Sequence, residues 1–382
     1  MELFRNPNID FLGKKALFLA ISALAILGSI ASLAIYGLQY GIDFRGGADV
    51  VLRFADEPSL DQIRDVLGAS GLGGAQIQAL GTRGEKVHDV LIRVPPVGDG
   101  EEQGDVSGQV IAALRSNLRE QAGGAIDLNI AGAAELRRAL SAAFPRRETM
   151  VDQAADAIVD YRNRNSGLIA SIDDLVREPG VPAEVGSWLR DNAVAGGFAI
   201  RSADYVGPSV GRDLKRRASY AIIGSLVVML IYVSLRFHQF AFGLAGILTL
   251  AHDAIVALGA VSITGKEFDL TVLAAILTIV GFSINDTIVI FDRVRENSAL
   301  RRGEQLERLF NDSINQTLGR TVLTTVLVML TVMTLWIFGG SRLNPFSFTL
   351  LVGVISGVYS TIYISCPIVI WWRTRIEKKS TA

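Results

Sequence analysis

Six stretches of the chain are apolar almost throughout and lack the alternation that a half-buried helix or strand shows. They are 16–42, 218–235, 237–265, 270–291, 321–341 and 343–372, and within them acidic, basic or histidine side chains occur only at His238, His252, Asp253 and Asp286. A helix needs about 20 residues to cross a hydrocarbon core roughly 30 Å thick, so each run predicts a membrane span. The first run exceeds the roughly 7–15 apolar residues of a cleavable signal sequence, despite Lys14 and Lys15 ahead of it and Ser32-Leu33-Ala34 within it, and reads as an uncleaved anchor. In the sixth span Gly353 and Gly357 form G-x-x-x-G, which predicts a surface for close packing against a partner subunit's helices.

Between the first two spans the pattern changes. Val50, Leu52 and Phe54 alternate with Val51, Arg53 and Ala55 as in a strand, and Ser59 caps a helix carrying Ile63, Val66 and Leu67. Two more strands fit 75–80 and 86–94, joined by a turn at Gly81–Gly84 and stopped by Pro95-Pro96. A helix with Val110, Ile111, Leu114 and Leu118 follows, and a last strand fits 198–206. The order βαββαβ predicts a split βαβ, ferredoxin-like α+β domain. Residues 127–197 interrupt it with helical spacing, as in Ala154, Ile158 and Tyr161.

Charge then orients the chain. The N-terminus, the turn after span two, the connection of spans four and five, and the C-terminus carry 14 Lys and Arg, counting Arg5, Arg320, Lys378 and Lys379; the opposite short loops have Lys266 and Arg342. By the positive-inside rule both termini are expected in the cytoplasm and the 41–211 segment outside it. The cluster Arg212, Lys215, Arg216 and Arg217, on the outer side of span two, runs against this. Residues 41–211 contain 25 acidic and 17 basic side chains, a net of −8, and lack the basic stripe that nucleic-acid binding requires. The single cysteine, Cys366, lies in the last span as a small buried side chain, and a disulfide scaffold is excluded.

Two glycine-rich motifs flank the outer domain: G-I-D-F-R-G-G with Gly41, Asp43, Arg45, Gly46 and Gly47, and Y-V-G-P-S-V-G with Gly207, Pro208 and Gly211. Glycine permits positive φ and close backbone approach, so both are expected to be joints between the domain and its membrane helices. Inside the membrane, A-H-D holds Asp253 and S-I-N-D-T holds Asn285 and Asp286. Carboxylates there are expensive and mark proton or ion paths. Asp286 sits about 9 Å inside the edge that Asp292 marks, at ~1.5 Å per residue, and Arg320 opens span five from the same edge with Thr324 one turn on. Arg320 is therefore the expected counter-ion of Asp286. Asp253 is deeper, fitting a separate station or a packing contact, and His238 and His252 read as interfacial or packing residues. No nucleophile–base pair, phosphate loop or metal-ligand spacing is present, so a motor rather than an enzyme is expected, without a cofactor.

These motifs, with G-F-S-I-N-D-T-I-V-I-F-D-R-V-R-E-N (281–297) and N-Q-T-L-G-R-T (315–321), resemble the SecF branch of the SecD/SecF protein-export family. Five motifs in order cover the chain except the insert. The resemblance implies a six-helix half of the resistance-nodulation-division type, a bacterial inner-membrane location and a SecD-like partner. It also implies association with the SecYEG channel and use of the proton gradient to pull an unfolded polypeptide outward, with Asp286 and Arg320 on the family's motif positions; sodium could replace the proton. An exporter of small molecules or lipids of the same superfamily is the alternative. The insert, quoted as D-L-N-I-A-G-A-A-E-L, A-I-V-D-Y-R-N-R-N and S-I-D-D-L-V-R-E-P-G-V, resembles the helix-hairpin-helix repeat of ComEA type. Ala142–Arg147 stands where that repeat has glycines, so no nucleic acid is expected as a partner. The expected layout is a cytoplasmic N-terminus 1–15, span one at 16–38, a periplasmic domain 39–217, spans two to six within 218–372 with a cytoplasmic linker 292–318, and a tail 373–382.

Overall fold

The computed structural model describes residues 7–80, 88–96, 106–117 and 125–377. The Gly81–Gly84 turn, Leu118, Arg5, Lys378 and Lys379 lie outside the described residues. In chain order, α1 (Lys15–Ile35) is followed by β1 (Gln39–Tyr40), the one-turn α2 (Ile42–Arg45), β2 (Gly47–Phe54), α3 (Leu60–Ala69), β3 (Gln76–Leu80), β4 (His88–Val94) and α4 (Val106–Asn117). Next come β5 (Ile126–Asp127), α5 (Ala133–Ala143), α6 (Glu148–Arg164), α7 (Ile172–Val176), α8 (Ala183–Asn192), β6 (Ala193–Val194) and β7 (Phe198–Val206). The remainder is α9 (Pro208–Phe237), α10 (Phe240–Ile263), β8 (Glu267–Phe268), α11 (Leu270–Leu300), α12 (Leu306–Phe338), α13 (Gly340–Ser360) and α14 (Cys366–Trp372). A π-helical turn, Thr361–Ser365, joins α13 to α14 without a break, making one long sixth span.

Among the described residues six helices are long and apolar enough to cross a membrane, and the protein is a multi-pass membrane protein. They are not equivalent. The best apolar windows of α10, α11 and the sixth span are 56%, 56% and 67% buried, against 17%, 11% and 17% for α1, α9 and α12. Three helices thus form a centre with polar residues in it, and three present apolar side chains such as Leu24, Val228 and Leu327 outward. α9 starts at Pro208, ten residues before its apolar run, because proline suits a helix's first turn. The awkward basic cluster therefore lies on the helix itself: Asp213 accepts from Arg216 and Arg217, and the Lys215 ammonium sits 4.2 Å over the Tyr40 ring.

The G-x-x-x-G surface does not face outward. A Cβ on Gly353 would collide with Ile279 of α11, and one on Gly357 would lie 3.1 Å from the Cβ of Ser283. The motif packs α13 against α11 within this chain, and the expectation of a partner-facing surface is corrected. Small residues also seat α1, whose buried residues are Ser22, Ser29 and Ser32. Ser29 lies where a Cβ on Gly259 of α10 would fall, and Ser32 donates to Ser262 at 2.9 Å.

At one end of the bundle, α11 and α12 extend past their apolar runs and are joined by the short stretch 301–305, so most of 292–318 is helical. Asn311 and Asn315, one turn apart on α12, clasp the chain ahead of α1. The Ile9 amide donates to Asn315 Oδ1 at 2.9 Å, the Phe11 amide to Asn311 Oδ1 at 2.9 Å, and both asparagines return a bond to the Ile9 carbonyl. Residues 1–44 and 213–382 form one compact unit and 45–212 another.

In the second unit the sheet order is β3-β4-β2-β7, all antiparallel, with α3 and α4 completing βαββαβ. Ala48, Val50, Leu52 and Phe54 point into its core with Ile63, Leu67, Val110 and Leu114. The insert forms a second core of its own, around Leu136, Leu140, Ile158, Leu175, Val185 and Leu189. Its chain ends are drawn together by the parallel pair β5–β6 and by Asn129, which donates to the Ile169 and Gly196 carbonyls and accepts from the Ile169 amide at 2.7 Å.

On the sheet, Arg53 grips Asp89 through two hydrogen bonds, 2.7 and 2.8 Å, and Arg201 adds a third. Burial alone would push Asp89 up, but these guanidinium groups hold its carboxyl below the ordinary value of 3.8. The stabilisation is therefore complete above that value and is lost as pH falls through the lowered pKa. Arg53→Ala should cost about 2 kcal/mol at neutral pH, read as faster amide exchange of β2 and β4, with the difference from wild type vanishing in strong acid. In the bundle, Gly353→Leu should destabilise the chain by about 1–3 kcal/mol of overpacking, whereas Gly224→Leu, which meets nothing within 4 Å, should not; thermal unfolding in detergent measures both.

Candidate functional site

The three central spans bring one carboxylate and a ring of hydroxyls together. Asp253, on α10, is 0% exposed. Its Oδ2 accepts from Ser283 of α11 at 2.7 Å and from Ser360 of α13 at 2.9 Å; its Oδ1 accepts from Ser356 at 2.6 Å and lies 3.1 Å from His252 Nδ1. Four contacts fill the acceptor positions that an ionised carboxylate offers. Ser356 and Ser360 are one helical turn apart and so share a face, with Gly357 beside them allowing α11 to approach.

Asp286 is the opposite case. It is 3% exposed, three residues beyond Ser283 on α11, and its Oδ2 is buried with no hydrogen-bond partner among the described residues. The charge of Arg320, an exposed residue of α12, acts on it electrostatically. Thr324 does not turn toward the pair: its hydroxyl bonds the carbonyls of Arg320 and Thr321 on its own helix, both at 3.0 Å. The hydroxyls of Thr321 and Thr325 are buried and unpartnered instead. Asn285 lies on the exposed side of α11. Thr287, next to Asp286, meets Thr361 at 3.0 Å, tying α11 to the π-helical turn of the sixth span. Such turns recur at functional positions because they displace a helix's register locally.

Asp253 of α10 thus meets α11 at Ser283, about one turn before Asp286, and the two carboxylates have different surroundings. His252 is 3% exposed, packs edge-on against Tyr359 and is bonded to Asp253, so of its two expected places the interfacial one is corrected and the packing one gains a polar contact. Ser283, Ser356 and Ser360 went unnoticed in the sequence. Their one signal there is a serine pair at i, i+4 in a span that must face a carboxylate.

Residues 31–57 match the SecD/SecF GG motif, and residues 189–375 match the C-terminal region of the protein export membrane protein SecD/SecF. A protein translocase subunit SecF of Koribacter versatilis is 39% identical over 100% of this chain and 96% of its own length. The chain belongs to the SecD/SecF family. A SecF subunit of Desulfurispirillum indicum is 32% identical over 96% of this chain and 92% of its own. Among solved structures, SecDF from Thermus thermophilus is 28% identical with a TM-score of 0.65, and the alignment covers 97% of this chain and 39% of that one. A super-membrane-facing form of SecDF gives 27% and 0.56. The chain spans about 40% of the length of these SecDF chains. Family membership gives the protein an accessory, transporting role in the Sec pathway.

The family's GG motif has a definite job on each side of the unit boundary. In the membrane unit, β1 pairs with β8 and the Gly41 amide donates to the Phe268 carbonyl at 3.0 Å. Asp43 Oδ2 then accepts from the Leu270 amide at 3.0 Å, while Asp269 Oδ1 caps Val272 at 2.8 Å. Two carboxylates therefore satisfy unpaired amides at the N-terminus of α11, where the helix dipole favours negative charge. In the α/β unit, Gly46 and Gly47 have φ of 77° and 116°. A Cβ on Gly46 would lie 3.0 Å from Pro208 Cα, and one on Gly47 would run into the Val94 carbonyl oxygen. Arg45, just ahead of them, is exposed, a Cβ on Gly207 would meet nothing within 4 Å, and the Gly211 amide bonds Gly207's carbonyl as α9 begins. Asp43→Ala should cost about 1 kcal/mol in thermal unfolding of the whole chain, and Asp43→Asn, which keeps an acceptor, should recover most of it.

Proposed function

We propose that this chain is the SecF-like half of a proton-driven accessory complex of the bacterial inner membrane. A SecD-like subunit completes the helix assembly, the complex associates with a SecYEG-type channel, and the proton gradient drives late steps in the outward movement of an unfolded polypeptide. The observation that carries the reading is the contrast between two buried carboxylates. Asp253 has its acceptor positions filled, whereas Asp286 keeps an oxygen without a partner among the described residues, under the influence of one exposed guanidinium. A group held in this way changes its balance between protonated and ionised forms when Arg320 moves, which is what a proton carrier needs.

Both termini face the cytoplasm in this reading and the α/β unit faces the periplasm. The bias of 14 basic residues against two supports it, as does the clasp of Asn311 and Asn315, which puts the N-terminal segment at the same end as the α11–α12 connection. The SecD-like partner fits the share of the SecDF chains that this chain spans. Division of the chain within the first glycine motif and just past the second supports a rigid α/β unit that moves on them.

Asp286→Asn preserves shape and should abolish gradient-stimulated completion of translocation in membrane vesicles while leaving ATP-driven translocation intact. A disulfide holding the α/β unit to the bundle should produce the same selective loss. Full gradient stimulation in Asp286→Asn vesicles would remove Asp286 as the carrier.

A further inference from the structure

Asp253 is joined to a side path that the Asp286 reading does not use. His252 Nδ1 is 3.1 Å from Asp253 Oδ1, and on the other side of the ring Nε2 is 3.4 Å from the hydroxyl of Tyr359 on α13. Tyr359 is in turn hydrogen-bonded to Ser22 of α1. The four side chains form an unbroken line from the centre of the bundle to the buried face of the first span, and His252, Asp253 and Ser22 are each at most 5% exposed. A carboxylate with three serine donors needs no histidine for packing alone. An imidazole with one nitrogen on a carboxylate and the other on a phenol is placed to pass a proton between them.

We infer that Asp253, His252, Tyr359 and Ser22 form a second proton-holding relay whose state is sensed by α1. The inference rests on the reading that membrane carboxylates of this chain carry protons. With Asp253 ionised, Nδ1–H donates to the carboxylate, Nε2 accepts from the Tyr359 hydroxyl, and Ser22 donates to the Tyr359 oxygen. Uptake of one proton at Nε2 makes an imidazolium. Its Nδ1 proton then passes to Asp253 Oδ1, leaving a neutral carboxylic acid and a neutral imidazole carrying its hydrogen on Nε2. That hydrogen now donates to the Tyr359 oxygen, so the Tyr359 hydroxyl must turn and donate to Ser22. One proton has been gained, only N–H and O–H bonds have changed, and the direction of the Tyr359–Ser22 bond has reversed.

Reversal matters because α1 has few other polar ties to the bundle. Ser22 is held by Tyr359 near one end, and near the other Ser32 donates to Ser262, which donates to the Gly37 carbonyl. α1 leads through β1 into the GG motif, so a change in the grip on Ser22 acts on the helix that enters the joint. The titratable groups on the elements packed against His252 are few. Within the apolar runs they are Asp253 on its own helix, Asp286 on α11, Tyr359 on α13, Tyr363 in the π-helical turn and Cys366 at the start of α14; toward the helix ends α11 adds Asp292, Arg293, Arg295 and Glu296, α13 adds Arg342, and α1 bears one charge, Lys15 at its first residue, paired with Glu307.

The test is nitrogen-15 NMR of the full chain in lipid nanodiscs, labelled at its three histidines, with His252→Gln assigning the signal. Between about pH 8 and pH 5 the His252 signal should convert from the Nδ1–H to the Nε2–H tautomer. The conversion should be lost in Asp253→Asn, and Tyr359→Phe should alter it while leaving thermal unfolding close to wild type. Asp286→Asn should leave the conversion in place, so failure of the Asp286 reading and failure of this one give different results. A His252 signal that keeps one tautomer across the range, or that converts equally in Asp253→Asn, overturns the relay.

Discussion

A carboxylate in the middle of a membrane bundle cannot turn to water for its hydrogen bonds, so the surrounding helices must supply them. Asp253 imposes that requirement on this fold. Its partners come from three helices, Ser283 on α11, Ser356 and Ser360 on α13, and His252 on α10 itself, and they reach it only because the helix axes are close. Gly353 and Gly357 permit that closeness, as Gly259 does for α1 and α10. Lipid tails supply no hydrophobic drive between helices, so small-residue contact and internal hydrogen bonds hold the centre together.

With that centre satisfied, the unsatisfied positions acquire meaning. Among the buried side-chain atoms that lack a partner in the described residues are oxygens of Asp286 on α11 and of Thr321 and Thr325 on α12, alongside others such as Ser234 on α9 and Ser298 on α11. Buried polar groups in stable cores are nearly always bonded, and exceptions concentrate where a protein changes state. α12 is also among the least buried spans, so the helix that carries Arg320 leaves most of its apolar run uncovered by this chain. An inner trio with its carboxylate saturated, beside an outer helix that carries a charge near a second carboxylate, suits a switch that must act without dismantling the bundle.

The GG motif connects this switch to the rest of the chain by two unrelated devices. Asp43 and Gly41 fasten the end of α1 to the start of α11, the helix that carries Asp286. Gly46 and Gly47 let the sheet of the α/β unit start against Val94 and Pro208 without room for a side chain. A single seven-residue motif therefore anchors on one side and allows close backbone contact on the other.

Six spans, the βαββαβ order and the separate helical insert were legible in the sequence, because length, periodicity and turn residues are local properties. The ionisable residues of the spans stood out for the same reason, since a charge in an apolar run is visible without any fold. Which serines would surround Asp253 was not legible: Ser283 is 30 residues from it and Ser356 and Ser360 more than 100, and hydroxyls are common in spans. The direction of the G-x-x-x-G face was equally hidden, since the motif states that a helix will approach closely but not which one. His252 read as packing because an imidazole's role depends on what lies at each of its two nitrogens. Local pattern determined the elements and their chemistry, and only the crossing of α10, α11 and α13 decided which carboxylate would be saturated and which left free to act.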